Sequence, residues 1–312
     1  MLTNSDIEEL TAFRRALHQY PEVSGEEAET ARTIAAELKT LTPARILTGL
    51  GGHGVAAVFD SGTPGPTVLF RAELDGLPIP EEHDIPWASK VPGKSHVCGH
   101  DGHMTMLLAL GRMISRRPVA KGRVVLMFQP AEEDGSGAMA VVADPAYAEI
   151  AADWAFAIHV EPGQPFGHVS SGPGLINCAS QGMAITLTGK TAHAADPEDG
   201  TSPALAVAQL LPAIDALGAG GPLDENFRLV TLTHTRIGEP TFGIAPGEAV
   251  IYATLRSTHD AGLAEVEAEL RTLVDDVAAA HGLKHSLEIF DHFAASINAP
   301  EAYEVARHAM EA

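Results

Sequence analysis

Eight consecutive residues, HVCGHDGH from position 96 to 103, bring together one cysteine, one aspartate and three histidines. Thiolate and imidazole are ligands of zinc and related divalent metals, and a thiol beside an imidazole is also the pattern of a cysteine nucleophile. Cys98 and His100, two positions apart on an irregular loop, could bind one metal ion as a pair. Asp101 is predicted to cap the helix that follows, and His103 to pack or support the site rather than to ligate a metal.

Three other segments end in residues of the same chemical kind. TVLF runs into RAELD, which ends at Asp75, and VVLMF runs into QPAEED, which contains Glu132 and Glu133. The run WAFAI is followed directly by His159. Because ligands of open α/β sheets bind beyond the carboxyl ends of the strands, all four segments are expected to meet at one edge.

The pair of glutamates predicts a division of labour. Adjacent side chains of an extended chain point to opposite sides, so only one of Glu132 and Glu133 is expected to ligate. The other would take a proton from a water molecule that the metal acidifies. Each feature alone has a simpler explanation, such as a solvated surface pair of glutamates or a satisfied core histidine at position 159. The convergence of four segments favours metal-assisted hydrolysis.

The elements that must position these residues fall into two patterns. In the first half, helical periodicity alternates with short apolar runs, which predicts an α/β fold with a largely parallel, buried sheet. From about residue 181 the order becomes β-α-β-β-α-β, the ferredoxin-like arrangement. We therefore predict a metal-binding catalytic domain over 1–180, an inserted domain over 181–292, and the start of a return to the first domain over 293–312.

Composition limits the classes of partner. Twenty basic and 41 acidic residues give a formal charge of −21, which disfavours binding to nucleic acid and to anionic lipid. No apolar run approaches the roughly 18 residues that span a membrane. Two cysteines are too few for a disulfide scaffold, and we expect a cytoplasmic protein.

The motifs resemble a known family. RAELDGLPI, HVCGHDGHMTMLLALG, FQPAEEDGSGAM, AIHV and GKTAHAADPEDG occur in this order. Together they are similar to the bacterial hippurate hydrolases and N-acyl-amino-acid amidohydrolases. These enzymes belong to the larger group of dinuclear zinc peptidases that includes aminoacylase and the glutamate carboxypeptidases. The resemblance extends over essentially the whole chain.

Carried over to this sequence, the resemblance implies a set of roles. Glu132 would be the general base, and Asp75 would orient a ligand from beside the metal site. His193 and Arg256 would contact the substrate, an N-acyl amino acid or a similar small amide. The inserted domain would be a lid through which the protein forms a homodimer. Two divalent ions, zinc or else manganese, cobalt or nickel, would be bound by Cys98, His100, Glu133 and His159.

Two departures from the family pattern leave alternatives open. The lid reads GIAP at 243–246 where the family has Asn-Val-Ile-Pro, so one polar contact to substrate is missing. The family's last histidine ligand lies far downstream of the lid. His308 lacks the expected context, so the chain resembles a member without its C-terminal segment, and occupancy of the second metal position is in doubt. A non-catalytic, dimerising metal-binding protein and a cysteine hydrolase that uses Cys98 with His100 are the rival hypotheses.

Overall fold

The computed structural model describes residues 1–311, which group into two compact units, Met1–Val169 and a second unit that begins at Ser170. The helices of the first unit are α1 Asn4–Gln19, α2 Ala28–Thr40, α3 His100–Arg116 and α4 Gly137–Ala143. Its strands are β1 Arg45–Leu50, β2 Gly54–Asp60, β3 Thr67–Glu73, β4 Arg123–Gln129 and β5 Trp154–Ala157.

The five strands of the first unit form one sheet in the order β1-β2-β4-β3-β5. Strand β3 runs parallel to both β4 and β5, whereas β2 is antiparallel to β1 and to β4. Four of the five strands therefore run in the same direction, which confirms the predicted α/β class with a mostly parallel sheet. The sequence pattern did not predict β1.

Alternation along β4 explains how the sheet becomes buried on both faces. Val124, Leu126 and Phe128 pack with apolar residues of α1, α2 and α3, whereas Val125 and Met127 pack on the other side with α4. Successive side chains of a strand point to opposite faces, so a continuous apolar run is what a sheet covered on both sides requires. Burial of each large apolar side chain contributes about 1.5–3 kcal/mol.

The second unit is built around a four-stranded antiparallel sheet. Its helices are α5 Ala204–Asp215, α6 Asp260–Ala280 and α7 Pro300–Glu311. Its strands are β6 Gly174–Asn177, β7 Ala179–Thr188, β8 Ala192–His193, β9 Arg228–Ile237, β10 Ile244–Ala245, β11 Glu248–Ser257, β12 Lys284–Phe293 and β13 Ser296–Asn298.

The order of the main sheet in this unit is β12-β7-β11-β9. Numbered along the chain, these strands have the order 4-1-3-2, and with α5 and α6 as the connections they form the ferredoxin-like arrangement expected from the sequence. Apolar residues of α5 and α6 share one buried cluster with inward-facing residues of the sheet. The role of this unit as a lid stays a prediction, as do the domain boundaries drawn from the sequence.

None of the helices described over residues 1–311 is both long and apolar enough to cross a membrane.

Candidate metal centre

The structure brings most of the predicted site residues together at one edge of the first unit's sheet. The ligand atoms of Cys98, His100 and His159 all lie within 4.8 Å of one another, and so do those of His100, Glu132 and Glu133. His100, at the first position of α3, belongs to both groups. The convergence expected from the carboxyl ends of the strands is therefore present in the fold.

Two of the histidines have their ring protons fixed by backbone carbonyls. The Nδ1 of His100 lies 2.9 Å from the Asp75 carbonyl oxygen, and the Nδ1 of His159 lies 2.7 Å from the Val160 carbonyl oxygen. A carbonyl can only accept, so Nδ1 must carry the proton in both rings. This leaves Nε2 available in both, which is how proteins usually prepare histidine for a metal. The Nε2 of His159 faces the Cys98 sulfur at 3.3 Å.

Asp75 connects three parts of the site. Its Oδ2 accepts hydrogen bonds from the Glu133 backbone N–H at 2.9 Å and from the Ser24 hydroxyl at 2.8 Å. Its Oδ1 lies 3.4 Å from the His100 Nδ1. Burial raises the pKa of Asp75, but the interactions with His100, the Glu133 N–H and Ser24 outweigh burial and leave the pKa below its ordinary value. Asp75 is therefore an anion that orients its neighbours.

Both glutamates turn toward the same histidine. The carboxylate oxygens of Glu132 and Glu133 lie 3.8 and 3.6 Å from the Nε2 of His100. The expectation that they point to opposite sides is wrong because the chain is not extended here: directly after Ala131, whose φ of 45° is left-handed, it turns at residues 132–135, where the Gly135 N–H donates to the Glu132 carbonyl at 2.9 Å. The Glu133 side chain is 18 % exposed and that of Glu132 is 29 % exposed. Burial raises the pKa of Glu132, while the charges of Arg71 and His100 oppose that rise.

These residues pass a simple test of fit to a divalent cation. The His100 Nε2 and the Glu133 Oε1 are buried and have no hydrogen-bond partner among the described residues. Burial lowers the pKa of His100, but Asp75, Cys98 and Glu73 outweigh it and raise the pKa to about 11. The surroundings therefore favour positive charge at this point, carried by the His100 imidazolium in the absence of a metal and by a divalent cation that would displace the Nε2 proton. One thiol, two imidazoles and two carboxylates form a donor set that suits zinc and its neighbours in the first transition series.

His103 has both of its ring nitrogens engaged elsewhere. Its Nε2 accepts a hydrogen bond from the Val160 N–H at 3.0 Å, so its Nδ1 carries the proton and donates to the Glu73 Oε2 at 2.7 Å. Glu73 is also paired with Arg71. Glu73, His100 and His103 are near enough to hold an ion, yet neither nitrogen of His103 has a free lone pair. His103 thus supports the backbone next to His159, in keeping with the supporting role expected from the sequence.

Asp101 does not cap α3, contrary to the prediction. Gly99 occupies the N-cap position, and no side chain caps the helix. The Asp101 carboxylate instead accepts from the His18 Nδ1 at 2.8 Å and pairs with the Arg14 Nε at 2.6 Å. The other ring nitrogen of His18 lies 3.0 Å from Glu81. The network ties the start of α3 to α1.

The sequence reasoning missed Glu73, Ser24 and the partners of Asp101. A signal for Glu73 was present: it lies two positions before Asp75, and alternate residues of a strand share one face. Ser24 lies 51 positions from Asp75 and His18 lies 83 positions from Asp101, where no local pattern could indicate them.

The two predicted substrate residues lie in the second unit. His193 is in β8, its side chain is 72 % exposed, and its Nδ1 accepts from the Ala195 N–H at 3.1 Å. It pairs across the strands with Ile244, so the TAH and GIAP segments are neighbours. Arg256 is exposed on β11 and makes no ion pair within residues 1–311.

Comparison with known proteins identifies the family. The sequence pattern of "Peptidase family M20/M25/M40" matches residues 69–312. The chain is 33% identical over 295 residues to the Bacillus subtilis protein named "Putative amidohydrolase YhaA", covering 94% of this chain and 74% of that protein. It is 32% identical over 285 residues to the N-acetyl-L-cysteine deacetylase of B. subtilis, covering 90% and 67% of the two chains.

A solved structure agrees with these sequence matches. The YXEP protein of B. subtilis, described as a dinuclear metal binding peptidase from the M20 family, superimposes with a TM-score of 0.79 at 26% identity. The alignment covers 99% of this chain and 80% of that one. This chain belongs to the M20/M25/M40 peptidase family, and its cluster of cysteine, histidine and glutamate side chains could hold a divalent metal ion.

Proposed function

We propose that this chain is a metal-dependent amidohydrolase that cleaves the amide bond of small N-acyl amino acids. The observation that carries the proposal is the convergence of Cys98, His100 and His159 with the paired carboxylates of Glu132 and Glu133. When bound, a divalent metal supplies Lewis acidity, which polarises an amide carbonyl and acidifies water.

The chain's own residues divide the remaining work. Cys98, His100, Glu133 and His159 would hold the metal, and the more buried position of Glu133 supports its assignment as the ligand of the pair. Glu132 would accept a proton from the attacking water on a carboxylate oxygen and pass it to the leaving nitrogen. Asp75 would keep His100 and the Glu133 backbone in place.

The number and kind of metal ions are part of the proposal. Two ions are supported by the dinuclear centre named for YXEP, and the five clustered donors would have to be divided so that His100 serves one ion only, through its Nε2. The mixed sulfur, nitrogen and oxygen donors favour zinc, with manganese, cobalt and nickel as the other candidates. The deacetylase name of a relative supports an acyl group on an amino acid as the substrate class.

Three further features stay proposals from the family resemblance: substrate contacts by His193 and Arg256, dimerisation through the second unit, and a cytoplasmic location. The exposure of both side chains supports their availability to a ligand. Sedimentation equilibrium of the full chain tests the dimer, because a single species of 32.7 kDa at all concentrations would contradict it.

The function is tested by assaying the protein, loaded with Zn²⁺, Mn²⁺ or Co²⁺, on a panel of N-acetyl and N-benzoyl amino acids. Glu132→Gln should lower kcat by about 10²–10⁴-fold, the usual contribution of a positioned general base, while Co²⁺ binding persists. The same substitution at Glu8, an exposed carboxylate on α1, is the matched control and should change neither quantity.

The outcomes separate the rival hypotheses. Full turnover by Glu132→Gln would refute the general base. Turnover that survives complete removal of metal would favour a thiol mechanism at Cys98. Tight metal binding with no hydrolysis of any member of the panel would favour the non-catalytic alternative.

A further inference from the structure

Glu27 is a buried carboxylate whose side chain is not used by its own helix. It occupies the N-cap position of α2, yet makes no capping hydrogen bond there, and its relative exposure is 0%. Its Oε1 instead accepts a hydrogen bond from the backbone N–H of Ala131 at 2.7 Å, across 104 positions of the chain. A carboxyl group is rarely buried this fully without a specific partner, so the contact with Ala131 needs an explanation.

Ala131 is the residue immediately before the paired glutamates, and its φ of 45° lies in the left-handed region. That conformation is unfavourable for an L-residue with a side chain and persists only where the surroundings impose it. The Glu27 carboxylate holds the N–H side of Ala131. On the other side, the Ala131 carbonyl accepts from the Gly137 N–H at 2.8 Å.

The remaining residues of the turn are also held in place, by a steric restriction at Gly137 and by backbone hydrogen bonds. A side chain at Gly137 would place its Cβ 1.7 Å from the Pro130 carbonyl oxygen, so the chain can pass here only as glycine. The Gly135 N–H donates to the Glu132 carbonyl at 2.9 Å, and the Glu133 N–H donates to Asp75. The left-handed residue sets the direction in which the chain enters this turn, and therefore the direction from which both carboxylates approach the His100 Nε2.

We propose that Glu27 is a positioning residue that holds Ala131 left-handed and thereby aims Glu132 and Glu133 at the metal position. The inference rests on the proposed function, because it assigns Glu27 to the same centre. Glu27 touches neither ligand nor substrate in this role. Glu27 acts through the backbone of Ala131 alone. Its effect on the metal position can therefore be distinguished from a general loss of packing.

The test is a rescue experiment with four variants: Glu27→Gln, Glu27→Ala, Ala131→Gly and the double variant Glu27→Ala/Ala131→Gly. Glutamine keeps an acceptor oxygen at the same reach. Glycine adopts the left-handed conformation without penalty, so it removes the need for Glu27. The probe is Co²⁺ alone, with its affinity measured by calorimetry and its ligand field measured by the visible spectrum, including the charge-transfer band of a thiolate ligand.

We expect Glu27→Ala to weaken Co²⁺ binding by about 10–100-fold, the usual effect of losing a group that orients a ligand. Glu27→Gln and Ala131→Gly should stay within about threefold of the parent protein, since each keeps the turn. The double variant should recover most of the affinity and the parental spectrum. If Glu27 had a purely structural role, the double variant should bind Co²⁺ no better than Glu27→Ala, because glycine at 131 increases the entropy of the unfolded chain and fills no cavity.

A double variant as weak as Glu27→Ala would overturn the inference. If Glu27→Ala does not fold, as judged by tryptophan fluorescence, Glu27→Asp replaces it: aspartate keeps the charge but not the reach, and Ala131→Gly should rescue it in the same way. Parent protein that binds Co²⁺ in a Glu27-dependent manner yet hydrolyses no amide would refute the proposed function and leave this inference standing. Failure of the parent to bind Co²⁺ would overturn both.

Discussion

The two units bury different kinds of side chain. In the first unit, nine ionisable side chains are buried together with the apolar core, namely Asp6, His18, Glu27, Glu73, Asp75, His96, His100, Asp101 and His103. In the second unit, over the residues that the structure describes, the buried cluster is apolar, and the buried polar side chains are Gln181, Ser257 and Thr258. The predicted substrate residues of that unit, His193 and Arg256, are both exposed.

This difference indicates how each unit is stabilised. Burying an ionisable group is unfavourable unless it is paired, so the first unit keeps most of these groups hydrogen-bonded or ion-paired, many of them around the candidate metal centre. His96 is the exception, since neither of its ring nitrogens has a hydrogen-bond partner among the described residues. The second unit folds on apolar burial in a regular sheet and two helices. A substitution that disturbs packing in the second unit should therefore lower stability. A substitution that removes a hydrogen bond in the first unit should weaken metal binding.

The largest expected effect is on the apolar core. Leu270→Ala, at a fully buried position of α6, should lower the free energy of unfolding by about 2–5 kcal/mol because it leaves a cavity. Metal affinity should not change, since no residue of the metal cluster lies in that core. Thermal unfolding followed by circular dichroism measures the first quantity, and calorimetric titration with Co²⁺ measures the second.

Leu205→Ala is the control for this prediction. Leu205 is 73% exposed on α5, so the same chemical change should alter unfolding by less than about 0.5 kcal/mol. A weaker affinity for Co²⁺ in folded Leu270→Ala protein would show that the two properties are not separable between the units.

The next effect, at His103, concerns hydrogen bonding. Asparagine can replace the Nδ1 donor to Glu73 but does not reach Val160, whereas glutamine can replace the Nε2 acceptor for the Val160 N–H. His103→Asn should therefore weaken Co²⁺ binding by about tenfold or more, because the backbone beside His159 loses its support. His103→Gln should remain within a few-fold of the parent, by the same titration.

An equally large loss in both variants would contradict a supporting role and would indicate that His103 is itself a ligand. The visible spectrum of the Co²⁺ form distinguishes these two roles. Loss of a ligand changes the ligand field, whereas loss of a supporting residue leaves every donor atom in place.

The smallest effect is expected in the second unit, at an exposed position. His193→Ala should raise KM by roughly three- to tenfold, the loss of about one ordinary hydrogen bond, and leave kcat unchanged. His308→Ala is the matched control, because that histidine lies in the same unit and its side chain is 70% exposed compared with 72% for His193. A fall in kcat instead would assign His193 to polarising the scissile carbonyl.

Much of the fold follows from the sequence because it is encoded locally. The run VVLMF predicts a strand buried on both faces, and β4 is that strand. The run EAVIYATLRS alternates between apolar and exposed residues, and β11 spans the same ten positions. The carboxyl-end rule then predicts which segments meet, and it brought Asp75, Glu132 and His159 to one edge without any knowledge of distances.

The details of the site were not predictable because they depend on contacts between distant segments. Glu27 stands in GEE at the start of a helix and looks like a solvated charge, yet it is buried against residue 131. The left-handed φ of Ala131 has no signature in an alanine, yet it sets how the chain enters the turn from which both glutamates face His100. Asp101 has the typical residue type of a helix cap, but the buried His18 competes successfully for its carboxylate.

Gly137 carries no functional group, yet the lack of space around it determines which substitutions position 137 tolerates. In a library that varies every position, most surface and loop residues tolerate several amino acids, whereas any side chain at 137 meets the Pro130 carbonyl. Selection for activity should therefore treat position 137 as strictly as it treats Glu132. The mutational profile would therefore mark Gly137 as indispensable although it performs no chemistry, because only glycine fits at this position of the turn.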